Sequence, residues 1–358
     1  MNAMGRVLVT GGGGFIGTHW CRSLAARQLS GVVLDCNAQT TPLPANWTYV
    51  RGDVRDVGLV HDLMATVSRV VHLAAAHHDA GIAAETYTDV NVHGTRNVLA
   101  AMSAHGLTDL VFTSSVAVFG DNSGATERTA PSPESPYGIT KLAAERLIDA
   151  WVQQDAHRTA VVLRPAVVIG TGHFANMYSL MKQIDSGLFV QVGAASNIKS
   201  LSAVRAVVEA GEWMRTQPGE RLRIANVVSD PQQSSAEIIG KVSRALGKPL
   251  PRLVIPRSIA LSAAFAVATA CRVIGKHTSI SVARVKKLFE TDTRFEAQWL
   301  RDAGFTTTET TTSAIAEMAE WYRAEGRSLT RQVRLPSLRV VSAGTAARLA
   351  PDTVEVGR

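Results

Sequence analysis

Short apolar runs alternate with amphipathic stretches over the first half of the chain. Apolar, mostly β-branched runs predict strands at 7–9, 31–35 and 109–113, and the runs WTYVRG and RVVHL predict two more. The segments between them read as helices, one from about residue 19 to a stop at Gly31 and one over 89–106 that ends at Gly106. This alternation predicts an α/β fold with a doubly wound parallel sheet, which binds ligands at the carboxyl ends of its strands.

Three glycines follow the first predicted strand, at positions 11, 14 and 17. In a dinucleotide site Gly11 makes the tight turn, Gly14 lets the backbone approach a pyrophosphate, and Gly17 lets the helix pack on the strand. The N-terminus of the next helix then supplies N–H donors to the phosphates. Because a strand precedes and a helix follows these glycines, we predict a Rossmann-like dinucleotide site.

Acidic and small residues at the ends of the next strands extend this prediction. Asp35 ends the second strand, where a carboxylate accepts the ribose hydroxyls and repels a 2′-phosphate, so NAD is favoured over NADP. A solvated aspartate is the alternative. Asp53 is placed to meet the adenine, and residues 74–76, all alanine, leave room for a cofactor.

The stretch SPYGITK holds a tyrosine and a lysine four residues apart. Ser135 suits a helix N-cap and Pro136 the first helical position, so Tyr137 and Lys141 share one helix face. The helix dipole and the ammonium both favour phenolate, which makes Tyr137 a candidate general base. An exposed Tyr/Lys pair on a helix surface is the alternative.

Composition narrows the class of protein. The chain has 358 residues, 46% hydrophobic and 19% charged, with a net charge of +7 and a pI near 9.6. This charge suits anionic partners such as phosphates or a membrane surface, and no basic stripe with interleaved aromatics indicates nucleic acid. The three distant cysteines (Cys21, Cys36 and Cys271) are typical of reduced cytosolic thiols, and no secretory signal is predicted. No metal site is expected.

Seven segments carry a resemblance to a known family. In order they are TGGGGFIG, GDVRD, HLAA, NVHGT, TSSVAVFG, PYGITK and LRPAVVIG. Together they resemble the NAD-dependent epimerase/dehydratase branch of the extended short-chain dehydrogenase/reductase superfamily, over roughly residues 5–322. The likeness implies that Ser115, Tyr137 and Lys141 are the catalytic residues, with Tyr137 as the base. It therefore argues against the alternative that Tyr137 and Lys141 are merely an exposed pair on a helix surface. It also implies a dimer through the helices near 87–106 and 136–154.

The resemblance also implies a cofactor site for NAD. Its residues are Gly11, Gly14, Phe15, Ile16, Gly17, Asp35, Asp53, Val54, Leu73, Ala74, Ala75, Asn91, Thr113, Tyr137, Lys141, Pro165 and Val168. Phe119 stands where the family usually has a tyrosine that is not the base, so we expect the change to affect packing.

The second half is similar to a narrower subgroup, bacterial 4-epimerases of N-acetylglucosamine joined through diphosphate to undecaprenol. The implied reaction interconverts the GlcNAc and GalNAc forms by transient oxidation at C4 and hydride return. Implied substrate contacts are Ser115, Asn176, Lys199 and His77, with a solvated lysine equally open for Lys199. Ala203 and Ala206 replace a tyrosine and an asparagine of the subgroup, which puts the identity of the sugar in doubt.

Two segments suit a lipid-linked substrate. SIALSAAFAVATACRVIG, from Ser258, is too short to span a bilayer and reads either as an interfacial helix or as an ordinary buried one. Residues 326–358 form a basic tail that either lies on a membrane or another subunit or is disordered. We therefore expect a cytoplasmic protein, in contact with the membrane face if its substrate is lipid-linked.

The predicted domains are 1–170 for NAD, with a returning segment near 200–230, and 171–199 with 231–322 for a smaller α/β substrate lobe. Three rival functions stay open: a soluble epimerase, dehydratase or dehydrogenase of UDP-hexosamine, an enzyme that oxidises a sterol-like alcohol, and a non-catalytic NAD-sensing protein.

Overall fold

The computed structural model describes residues 5–77, 83–251, 253–262, 265 and 291–329. Its centre is a seven-stranded parallel sheet, with the strands in the order β11-β6-β5-β4-β1-β2-β3. This confirms the predicted Rossmann-like fold. The strand that completes the sheet, β11, comes from residues 222–227, after the chain has left the sheet and returned.

The strands and helices have the following bounds. The strands are β1 Val7–Thr10, β2 Gly31–Asp35, β3 Trp47–Arg51, β4 Arg69–His72, β5 Asp109–Thr113, β6 Thr159–Pro165, β7 Val167–Ile169, β8 Gln191–Val192, β9 Ile198–Lys199, β10 Leu201–Ala203, β11 Leu222–Val227, β12 Gln233–Ser234 and β13 Val254–Ile255. The α-helices are α1 Phe15–Ala26, α2 Val57–Met64, α3 Ala84–Tyr87, α4 Gly94–Ala104, α5 Pro136–Gln153, α6 Asn176–Asp185, α7 Val204–Thr216, α8 Ser235–Ala245, α9 Gln298–Asp302 and α10 Thr311–Trp321.

The first helix differs from its prediction at both ends. It begins at Phe15, directly after the glycines, and it ends at Ala26, with Gln28 in the left-handed region at φ 64°. Gly31 is therefore not the helix stop but the first residue of β2. A side chain at Gly31 would overlap the ring of Trp47 and the Val7 carbonyl. The close packing of β2 against β1 and β3 therefore explains why a glycine stands at this position.

Two apolar layers sandwich the sheet. On one face α2, α4 and α5 pack through residues such as Met64, Met102 and Ile148. On the other face α1, α7 and α9 pack through residues such as Trp20 and Met214. Burial of these faces supplies most of the stabilisation of the fold, at roughly 25 cal/mol per Å².

A smaller lobe sits beyond the carboxyl ends of the strands. It consists of α6, α8 and α10, which share a separate apolar cluster, and of two-stranded pairings β7–β10, β8–β13 and β9–β12. The helix predicted from Ser258 lies mostly outside the described residues, as do Cys271 and nearly all of the 326–358 tail. Within the described ranges no helix is long and apolar enough to cross a membrane.

Candidate active site

The glycine loop brings the N-terminus of α1 against the end of β4. Gly11 has φ +68°, and a Cβ there would lie 2.7 Å from the Ala74 nitrogen. A Cβ at Gly17 would overlap the Gly11 carbonyl. The N-cap Gly14 makes no side-chain cap, and the first turn of α1 holds no acid. The backbone N–H groups of this turn can therefore bind a phosphate.

Asp35 ties the glycine loop to the end of β2. Its carboxylate accepts hydrogen bonds from the backbone nitrogens of Gly13 (3.1 Å) and Asn37 (2.9 Å), and the side chain is buried. Asp53 instead holds Arg55, with 2.6 Å between Oδ2 and Nη2. Burial raises the pKa of Asp53, but the hydrogen bonds and charge of Arg55 lower it further, so the net shift is downward. Asp53 thus keeps its charge beside the predicted adenine pocket.

Asn91 lies in a π-helical turn, Thr88–His93, beside the end of β4. Its Oδ1 accepts from Ala76 N (2.8 Å), and its Nδ2 donates to Ala76 O (3.1 Å) and to Thr140 Oγ1 (3.0 Å). Thr140 belongs to α5. The recorded bonds of Asn91 therefore join the edge of the cofactor pocket to the tyrosine helix.

A buried hydrogen-bond chain lies beneath this edge. His72 Nδ1 is 2.6 Å from Thr10 Oγ1, and its Nε2 is 3.0 Å from Thr95 Oγ1, which itself donates to Asn91 O. Since Thr95 donates its only hydroxyl hydrogen to Asn91, His72 must donate from Nε2 and accept at Nδ1. Burial, reinforced by the charge of Lys141, lowers the pKa of His72 to about 3. A neutral imidazole thus fixes the spacing of β1, β4 and the Asn91 turn.

Three hydroxyl groups stand at the carboxyl end of β5. Ser115 is the N-cap of a 3₁₀ turn, Val116–Phe119, and its Oγ accepts from Ala117 N at 3.1 Å, so its own hydrogen is available to a ligand. Thr113 Oγ1 and Ser114 Oγ are buried and have no hydrogen-bond partner in the structure. Such orphaned polar atoms are costly unless a ligand satisfies them.

The tyrosine helix begins as its sequence predicts. Ser135 Oγ accepts from Gly138 N (3.1 Å), Pro136 is the first helical residue, and Tyr137 is half-buried. A Cβ at Gly138 would overlap the Ala117 carbonyl oxygen. Gly138 therefore lets the first turn of α5 touch the turn that Ser115 caps, which brings the Tyr137 and Ser115 segments together.

Lys141 is buried one turn further along α5, with Nζ 4.1 Å from the centre of the Phe112 ring. No carboxylate of the described residues lies within ion-pair distance of it. Burial lowers the pKa of Lys141 to about 7, and the charge of Glu145 only partly offsets this. A phenolate or phosphate brought near this ammonium would favour its charged form.

The middle of α5 is held to the end of β6 by an ion pair. Glu145 and Arg164 form a buried bidentate ion pair, with contacts of 3.0 and 2.6 Å. The Arg164 guanidinium also lies over the ring of Phe119, which is itself buried against Phe295. Phe119 therefore contributes to packing, as its sequence predicts.

The remaining predicted cofactor residues lie on these segments or next to them. Leu73, Ala74 and Ala75 follow β4, Val54 is buried beneath Gly94, Ile16 lies in the first turn of α1, and Pro165 and Val168 flank the step from β6 to β7. Phe15, in that same turn, stacks on His173 with ring centres 4.3 Å apart. The structure therefore brings the glycine loop, the ends of β4 to β6 and the start of α5 to one edge of the sheet.

The predicted substrate residues are more scattered. His77 is exposed after β4, with Nδ1 3.3 Å from Ala75 O, and Asn176 is exposed at the start of α6. Lys199 donates from Nζ to Thr291 O at 2.8 Å. Ala203 and Ala206 are both buried in the apolar cluster of the smaller lobe. These two departures from the subgroup pattern therefore act on packing rather than at an open surface.

Sequence reasoning missed the residues that position this site. No sequence motif assigned a role to these residues, which are Thr10, His72, Thr95, Gly138, Thr140 and Glu145. The signal for Gly138 was present, because a glycine in the second position after a helix-starting proline is a poor helix former and so suggests a close approach.

Comparison with known proteins adds an independent observation. Residues 7–224 match the NAD dependent epimerase/dehydratase family. The chain belongs to this family. It is 33% identical over 305 residues to the N-acetyl-alpha-D-glucosaminyl-diphospho-ditrans,octacis-undecaprenol 4-epimerase of Escherichia coli O157:H7, covering 84% of this chain and 89% of that one. It is 27% identical over 259 residues to the UDP-glucose 4-epimerase of Vibrio cholerae, covering 70% and 78%.

Solved structures agree with the family. MoeE5 in complex with UDP-glucuronic acid and NAD has a TM-score of 0.71 and 26% identity, and the match covers 91% of this chain and all of that one. The Thermus thermophilus UDP-glucose 4-epimerase in complex with NAD has a TM-score of 0.69 at 24% identity, covering 89% of this chain and 99% of that one, which shows the same fold. The chain is an NAD-dependent enzyme of the epimerase/dehydratase family.

The residues present fit NAD. The glycine loop leaves no room for side chains, so its backbone would hold the pyrophosphate. Asp35 is held at the end of β2, and the Thr113 and Ser114 hydroxyls at the end of β5 are buried without a hydrogen-bond partner. Within the described ranges no group of three or more His, Cys, Asp or Glu side chains is placed to hold a metal ion.

Proposed function

We propose that this enzyme is a 4-epimerase of N-acetylglucosamine carried on undecaprenyl diphosphate, acting in the synthesis of a surface polysaccharide. The observation that carries the proposal is the likeness to the lipid-linked 4-epimerase, which runs through the smaller lobe as well as the nucleotide-binding half. The Ser115, Tyr137 and Lys141 segments, packed together through Gly138, supply the groups that the reaction needs.

The chemistry assigns one task to each side chain. When bound, NAD⁺ accepts a hydride from C4 of the sugar and can return it. Tyr137 removes the proton of the C4 hydroxyl at its phenolic oxygen, and Ser115 donates a hydrogen bond to the same sugar oxygen. Lys141 stabilises the phenolate, because an ammonium on the same helix face lowers the pKa of the phenol.

Epimerisation requires the keto sugar to expose its other face before the hydride returns. The proton held on Tyr137 then goes back to the C4 oxygen, so the cycle consumes no external reductant. An oxidising enzyme would instead accumulate NADH with its product, and a sensor would need none of Ser115, Tyr137 and Lys141. Sustained turnover with no net NADH therefore separates the proposed epimerase from both rivals.

The carrier of the sugar is tested by a paired assay. The purified enzyme is incubated with NAD⁺ and either GlcNAc-diphosphoundecaprenol in detergent or UDP-GlcNAc, and the sugars released by acid are identified. We expect GalNAc from the lipid-linked substrate and at least tenfold less from the nucleotide sugar. Turnover of the nucleotide sugar alone would establish the soluble alternative.

The placement of the enzyme follows from this substrate. We propose a cytoplasmic homodimer, peripheral on the membrane face that presents the carrier lipid, with its dimer contacts on α4 and α5. Light scattering and cell fractionation test these two points. The predicted domain bounds are tested by limited proteolysis, which should cut near residues 170 and 326.

A further inference from the structure

A cluster of exposed apolar side chains lies on the smaller lobe, away from the sheet. Of the ten large apolar side chains that the described residues leave exposed, six lie between Leu188 and Phe265: Leu188, Leu250, Leu253, Val254, Ile259 and Phe265, each 50% to 76% exposed. We call these six residues the apolar face. Together they present an area on the order of 600 Å², the upper end of what a monomeric protein leaves in water.

The recorded contacts bring the two segments that carry most of the apolar face side by side. Lys248 Nζ lies 3.2 Å from Asp185 at the end of α6, and the Gln191 nitrogen donates to the Leu253 carbonyl at 3.0 Å. Residues 248–255 therefore run beside and parallel to 185–192, as the β13–β8 pairing requires. The helical residues 257–262 follow directly and carry Ile259. Four of the six side chains thus stand on two neighbouring segments.

Basic residues outnumber acidic ones on the segments that carry the apolar face. The described residues of 182–192 and 244–259 include Lys182, Arg244, Lys248 and Arg257, and their single acid is Asp185. Asp185 is already held by Lys248 and Arg327 (2.9 Å), whose charges, with burial acting against them, lower the pKa of its carboxyl overall. These segments therefore combine exposed apolar side chains with a net positive charge, and this combination matches an anionic phospholipid leaflet.

A cleft of about 360 Å³ opens beside the apolar face. It is lined by the 192–197 loop, by Arg257 and by Asp292. Val192 belongs to the β8 strand that pairs with Val254 and Ile255. The cleft and the apolar face therefore lie on neighbouring segments of the smaller lobe.

We propose that the apolar face docks this enzyme on the surface of an anionic phospholipid bilayer, with the cleft turned toward the lipid headgroups. The proposal rests on the proposed function for its purpose, since a substrate anchored in a bilayer must be reached at the bilayer surface. The docking itself involves no substrate and can be measured without one.

The test is flotation of the full-length enzyme with vesicles of phosphatidylethanolamine and phosphatidylglycerol. We expect the wild-type protein to float with these vesicles, and the double variant Leu253→Asp with Phe265→Asp to bind at least about tenfold more weakly, because two inserted apolar groups become charged. Leu188→Asp, on the neighbouring segment, is a second variant and should weaken binding in the same direction. The matched control is Val57→Asp, an equally exposed apolar residue at the start of α2, which should bind as the wild type does.

Three results would overturn the docking proposal. The first is that the wild type does not float with the vesicles. The second is that the wild type and the apolar-face variants float equally. The third is that the variants lose self-association while their flotation is unchanged, which would make the apolar face an interface between copies of this chain. Activity on GlcNAc-diphosphoundecaprenol in detergent is measured in parallel and should be alike in all these proteins. Its absence from the wild type would reject the proposed function, whereas the flotation result would still decide the docking.

Discussion

The nucleotide-binding half and the smaller lobe build their ligand surfaces in different ways. In the first, backbone atoms approach one another so closely that only glycine fits, as at Gly11 against Ala74 and at Gly138 against Ala117. In the second, the 192–197 loop, Arg257 and Asp292 line an open cleft of about 360 Å³. Tight backbone contacts tolerate few substitutions, whereas an open cleft tolerates many, so the first half should be the more sensitive to small changes.

The largest effect is expected from Tyr137→Phe. Loss of the phenolic oxygen removes the general base, and we expect kcat to fall by about 10³-fold or more. NAD binding should be nearly unchanged, since the glycine loop and Asp35 are intact. Tyr178→Phe, in the smaller lobe, is the control and should keep its activity. If Tyr137→Phe retained a tenth of the wild-type kcat, the proposed mechanism would be wrong.

A second effect concerns the buried ammonium of Lys141. Its pKa is about 7 in the folded protein against 10.5 ordinarily. Between these values the unfolded chain holds a proton that the folded protein has released, so stability rises with pH, by up to about 1.4 kcal/mol per unit. Below pH 7 both states are protonated and the slope from this group disappears.

Lys141→Met isolates this contribution. The free energy of unfolding of the NAD-free protein is measured by urea between pH 6 and 9, which brackets the folded pKa of about 7. Relative to the variant, the wild type should gain stability only above pH 7. If the free energy of unfolding depended on pH in the same way for the two proteins across this whole pH range, Lys141 would have an ordinary pKa.

A third effect, of about ten- to a hundredfold in kcat, is expected from Gly138→Ala. The added methyl group overlaps the Ala117 carbonyl, so the start of α5 must shift relative to Ser115, and shifts of about 1 Å are costly in catalysis. Gly240→Ala on α8 is the matched control, because its Cβ would meet only Leu250 Cδ2 at 3.9 Å. The control should raise stability by about 0.5–1 kcal/mol and leave kcat unchanged.

The same contrast explains how far the sequence could predict this protein. The fold, the position of Asp35 at the end of β2 and the N-cap of α5 were predictable, because strand periodicity, glycine spacing and Ser-Pro at a helix start each have a local physical cause. The hydrogen-bond chain through His72 and the Glu145–Arg164 ion pair were not, because they join residues 19 to 62 positions apart. The end of α1 was misplaced because Gln28, not a glycine, adopts the left-handed conformation.

In the smaller lobe the sequence pointed to two positions as departures from a pattern, and the structure shows that both are buried. Ala203 and Ala206 drew attention as departures from a subgroup pattern, although both are buried and face an apolar cluster. Whether a position in an irregular lobe faces a ligand depends on the packing of distant segments, and no local period encodes it. Lys199 is the residue on which this uncertainty can be tested most directly.

The smallest effect is expected from Lys199→Met. One donor of the ammonium goes to the Thr291 carbonyl, next to the cleft residue Asp292, and we propose that another reaches the substrate diphosphate. Loss of a single charge contact should raise KM for the sugar-diphosphate substrate by about tenfold and leave kcat within about threefold. Lys241→Met, whose ammonium bonds Thr312 at 2.7 Å on the exposed side of α8, is the control and should change neither constant. A fall in stability with KM unchanged would assign Lys199 to the support of the 291–293 segment alone, and the open cleft would then bind its ligand through loop backbone and Arg257.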